Sequence, residues 1–72
     1  MTTNERICSI LENVGNEIEK AIDIMREEEF LAENSGDNAR ANRYGDWAIA
    51  INSLLNLLRS RLPYIRESLD RV

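Results

Sequence analysis

Asn34-Ser35-Gly36-Asp37-Asn38 is the stretch on which the fold turns. Gly36 suits the left-handed residue that closes a helix, because it has no Cβ to clash there. Asp37 or Asn38 suits the cap of a following helix, since a short side-chain oxygen can accept an otherwise orphaned backbone N–H. The turn is therefore placed at about 35–37. Gly45-Asp46 is a second weak point, and a later helix start at Asp46 is the fallback.

Upstream of the turn, Ile7, Leu11, Val14, Ile18, Ala21 and Met25 follow 4, 3, 4, 3, 4 spacing. Such spacing predicts a helix over about 4–34, capped at Thr3 or Asn4. In heptad letters, Leu11, Ile18 and Met25 take a, and Ile7, Val14 and Ala21 take d. Ile10 and Ile24 fall at g, and Cys8 and Ile22 at e, so the apolar arc is wider than a two-stranded seam needs.

Downstream, Tyr44, Ala48, Ile51, Leu55, Leu58, Leu62, Ile65, Leu69 and Val72 keep the same spacing through Pro63. The reading is a second helix over about 38–62 and a helical extension over 63–72. Proline removes one backbone bond and crowds the preceding turn, so a kink is expected at Pro63. Trp47 and Leu54 at g, with Ala50, Leu57 and Tyr64 at c, add a second apolar stripe that one partner helix cannot cover.

A hairpin turning near residue 36 pairs positions whose numbers sum to about 72. Met25 then meets Ala48, Ile18 meets Leu55, and Ile7 meets Ile65. The charges fit this register. Residues 1–36 carry nine acids and three bases, a net −6, whereas residues 37–72 carry four acids and six bases, a net +2. The expected cross-helix pairs are Glu12 with Arg59 and Arg61, Glu5 with Arg66, Arg6 with Glu67, Glu33 with Arg40, and Glu29 with Arg43. The fold class is thus all-α: one antiparallel helical hairpin over 1–72. It is expected to assemble as a homodimeric four-helix bundle or a higher oligomer, with Trp47, Leu54, Leu57, Leu58 and Tyr64 at the interface.

Composition narrows the chemistry. The chain has 72 residues, one cysteine and no histidine. One cysteine forbids an intrachain disulfide, and the absence of histidine removes Ser-His-Asp and Cys-His nucleophile systems. A domain this small usually needs a staple, and a second copy of the chain is the one left. The longest apolar run, Trp47 to Ile51, is far too short to cross a bilayer. Met1-Thr2-Thr3-Asn4-Glu5 lacks a basic start followed by an apolar stretch, so no leader is expected. The chain is read as cytoplasmic, in keeping with its unpaired Cys8. Its net charge of −4 argues against nucleic acid as a partner.

Two clusters are candidates for a site. The acids Glu27, Glu28, Glu29, Glu33 and Asp37 invite a magnesium reading. The Glu-Glu-x-x-Glu motif of all-α nucleoside triphosphate pyrophosphatases is not met, however, because after Glu28-Glu29 the next acid falls one residue late, at Glu33. No metal, cofactor or catalytic residue is assigned. The second cluster is Arg40, Arg43, Tyr44 and Trp47. Arginine forks onto phosphate or carboxylate, and adjacent rings stack on a planar base. Packing at the end of a bundle explains the same residues, with both arginines held by Glu29 and Glu33. Two functions follow as expectations. The first is a non-enzymatic, homo-oligomeric binding module acting as adaptor, chaperone or inhibitor of a partner protein. The second is a phage-type sponge that sequesters an anionic cyclic nucleotide between subunits. An acidic mimic occupying a nucleic-acid-binding site is a weaker third.

Overall fold

The computed structural model describes residues 2–70, and side chains up to Ser68. The expected seam positions Leu69 and Val72 lie outside those side chains. Two helices, α1 (Thr3–Asn34) and α2 (Asn38–Asp70), pack against each other as a hairpin. The cap of α1 is Thr2 rather than Thr3 or Asn4: its hydroxyl accepts the Glu5 N–H at 3.1 Å. α2 runs through Pro63 as one helix. Leu62 and Ile65 remain half-buried, so the inward phase holds on both sides of the proline.

The turn behaves as its residues require. Gly36 adopts φ +79°. Its N–H donates to the Glu33 carbonyl at 3.1 Å, and the Asp37 N–H donates to the Ala32 carbonyl at 2.9 Å. These two bonds satisfy carbonyls that the end of α1 would otherwise leave open. The Asp37 carboxylate then accepts the Arg40 N–H at 3.1 Å. One residue thus completes the first helix and caps the second.

The register is near the expected one. A Cβ built on Gly15 would lie 3.7 Å from both Leu55 and Leu58. The inward side of α1, however, is turned from the expected one. Leu11, Ile18 and Met25 at a face inward as foreseen, but their companions are Cys8, Gly15 and Ile22 at e. Ile7 and Val14 at d stay 40% and 43% exposed. The physical reason is size. Cys8, Gly15 and Ala32 on α1, with Ala41, Gly45 and Ala48 on α2, are all buried and let the backbones close up. The bulkier d and g side chains are displaced to one flank.

The ion pairs also differ from those expected. Arg66 pairs with Glu12, Arg59 with Glu19, and Arg40 with Glu28. For the first two the reason is side-chain direction. Helical side chains lean toward the N-terminus of their own helix. In antiparallel helices the two leans approach each other, so partners lie further apart in register than their Cα atoms suggest.

These contacts assign a side to every heptad position. Glu12 and Glu19 at b of α1 meet Arg66 and Arg59 at e of α2, which defines a charged face. Glu28 at d meets Arg40 at g, which defines the opposite face. That second face therefore carries Ile7, Ile10, Val14, Ile24 and Leu31 from α1 and Trp47, Leu54, Leu57 and Tyr64 from α2, all exposed, whereas Phe30 at f and Ile49 at b are exposed outside it. Among the described residues, no helix is long and apolar enough to cross a membrane.

Candidate functional site: an arginine–aromatic cleft on an apolar face

The first turns of α2 hold an open cleft of about 290 Å³ lined by Asp37, Ala39, Arg40, Arg43, Tyr44 and Trp47. All four residues singled out from the sequence border it. Their meeting follows from helical spacing, which puts Arg40, Tyr44 and Trp47 at i, i+4 and i+7. The Arg40 guanidinium carbon lies 5.6 Å from the centre of the Tyr44 ring, within cation–π range. Tyr44 and Trp47 meet edge to face, with centroids 5.6 Å apart and planes at 82°. Trp47 is 50% exposed, so its indole presents a free surface rather than closing a core layer.

The two arginines are not equivalent. Arg40 donates to Glu28 at 3.2 Å. Its pKa is raised above the ordinary arginine value, first by the Tyr44 hydroxyl and then by Glu28, with Asp37 adding less. Arg40 therefore stays charged, and that charge is already answered. Neither arginine is held by Glu29 or Glu33, since Glu29 pairs with Arg26 at 2.9 Å. Arg43 has no ion pair among the described residues and is the one uncommitted cation of the cleft. Asp37, not foreseen as a lining residue, brings a carboxylate to the rim and already occupies the Arg40 N–H at the helix start. The cleft thus offers an aromatic surface and one free guanidinium, beside a carboxylate that opposes a second anion.

The other sequence candidates are placed elsewhere. Among the described residues, no three of the His, Cys, Asp or Glu side chains gather around a common point for a metal ion. Cys8 is buried near the open end of the hairpin, far along the chain from the cleft. Leu58 packs over Gly15 within the hairpin. Leu57 and Tyr64, 53% and 67% exposed, remain without cover, as does Leu54.

A feature missing from the sequence reading lies on α1. Ile10, Val14, Ile18 and Ala21, with Asn13 and Glu17 at the edge, line a shallow apolar groove of about 450 Å³. Its signal is Ile10 at g beside Ile18 at a and Val14 and Ala21 at d. Val14, Ile18 and Ala21 count toward the intrachain seam in the heptad reading, which leaves the uncovered stripe to α2 alone. No known protein family, curated protein or solved structure matches the chain.

Proposed function

We propose that this chain is a small non-enzymatic binding module that works as a homo-oligomer and serves as adaptor, chaperone or inhibitor of a partner protein. One observation carries the reading: the hairpin leaves far more surface exposed than its mass calls for. A compact monomer of 8.3 kDa exposes about 4,600 Å² by the usual scaling. This chain exposes 5456 Å². The excess, roughly 900 Å², is close to the ~800 Å² that each partner buries in a standard protein interface. Its radius of gyration, 16.4 Å, likewise exceeds the ~11 Å of a compact domain of this length. Most of the large exposed apolar side chains stand on one face, and such faces mark association surfaces. Sedimentation equilibrium tests the reading. Self-association in the micromolar range is expected, and a stable monomer there overturns it.

The cleft favours a second reading, in which an anionic nucleotide stacks on Trp47 and Tyr44 with a phosphate on Arg43. A cleft near 290 Å³ on a molecule one helix thick needs a second subunit to enclose such a ligand. A panel of cyclic and linear nucleotides tests it by thermal shift. A shift lost in Arg43→Ala and weakened by salt supports the sponge, and a flat panel removes it.

A further inference from the structure

We infer that a second copy of this chain covers the apolar face about a two-fold axis parallel to the helices. Both turns then lie at the same end, and each α1 packs on α2 of the other copy. The inference rests on the self-association reading and adds the arrangement. Its first support is symmetry. Such an axis introduces no shift along the helices, so residues facing each other between copies have the same numerical sum, about 72, as those within one hairpin.

That register matches features on the face. The groove of α1, centred between Val14 and Ile18, falls opposite Leu54 and Leu57 of the second copy. Those two leucines are exposed knobs, and the groove is an unfilled hole of matching polarity. Trp47 of the second copy comes over Ile24, and Tyr64 comes over Ile10. At the outer rim, Arg43 of one copy lies opposite Glu27 of the other. Neither has an ion pair within its own hairpin among the described residues.

Charge separates this arrangement from its rival. A two-fold axis across the helices would put α1 on α1, setting the half of net −6 against itself. The parallel axis sets it against the half of net +2, and complementary potentials favour that contact. Size agrees too. The hairpin is a slab with extents of 54 × 18 × 10 Å. Its broad face is on the order of 900 Å², enough for the ~800 Å² per partner of a stable pair.

The test uses full-length chains carrying Cys8→Ala, mixed as two single-cysteine variants, Glu17→Cys and Leu54→Cys, and oxidised. Helicity and sedimentation are checked first. A particle of two chains is expected, with the mixed Glu17→Cys to Leu54→Cys disulfide dominant. A wild-type monomer overturns self-association and this inference with it. A dimer in which Glu17→Cys chains link to one another, or in which the two variants do not link, overturns the arrangement alone. So does a particle of more than two chains. A charge swap sharpens the result without any cross-link. Arg43→Glu is expected to raise the dimer dissociation constant ~tenfold, about 1.4 kcal/mol, and adding Glu27→Arg to the same chain is expected to restore it. Loss without restoration overturns the rim contact.

Discussion

The two broad faces of the hairpin come from the same two helices and differ in where their partners lie. On the charged face each cross-helix contact closes inside the chain, Glu12 on Arg66 and Glu19 on Arg59. Of the eleven large apolar side chains that reach solvent among the described residues, nine stand on the apolar face, and Phe30 and Ile49 stand outside it. The satisfied face is the energetically minor one. Exposed ion pairs are worth ~0–1 kcal/mol each, because water and salt screen them. A Leu, Ile or Trp taken out of water is worth ~1.5–3 kcal/mol. The face left open by the fold therefore holds the larger reserve of free energy.

Leu57→Glu strikes that reserve directly and carries the largest expected effect. It removes one apolar side chain from each copy and puts a charge in its place, a loss of about 3–6 kcal/mol per dimer. Sedimentation should show dissociation to monomer, and the thermal midpoint should fall and become less dependent on concentration. Retention of the wild-type mass would remove Leu57 from the interface.

Gly36→Ala acts on both faces alike and separates folding from association. A Cβ at φ +79° costs ~1–2 kcal/mol. The midpoint should fall by several degrees, with the assembled mass kept while the chain is folded. An unchanged midpoint would mean that the turn does not limit the hairpin.

Gly15→Ala should move the midpoint upward. The new methyl would make ordinary contacts at 3.7 Å with Leu55 and Leu58, and alanine is favoured over glycine in a helix by ~1 kcal/mol. The same change at Gly45 is the contrast, because its methyl would collide with the Glu29 carboxylate. Glu29 must swing away from its place beside Arg26, so the gain should shrink or vanish. Equal gains at both glycines would show that Glu29 moves without cost. Smallest of all is Arg59→Ala on the charged face, with a loss under ~1 kcal/mol that fades as salt rises. A larger loss would promote that face from screened surface to structural element.

Part of the site is legible in the amino-acid sequence alone. Arg40, Arg43, Tyr44 and Trp47 were legible as neighbours because i, i+3, i+4 and i+7 on one helix share a side whatever that helix packs against. Asp37 at the rim was not, since its position depends on how the turn folds back. Nor was the pairing of Arg40 with Glu28 in place of Glu33, a matter of the crossing of two helices. The groove on α1 escaped because Val14 and Ala21 were counted as seam.

By itself the sequence determined two helices, the turn between them and their register. Each of these follows from local chemistry: a heptad period, a glycine free to take positive φ, an aspartate able to cap, and a chain too short to pair any other way. It did not determine which side of α1 faces inward. Apolar residues stand at a, d, e and g, so two orientations about the helix axis bury similar amounts. Only tertiary packing decided between them. Cys8, Gly15 and Ala32 allow α2 to approach where Ile7 and Val14 would hold it off. That rotation brought most of the uncovered apolar residues of both helices onto one face.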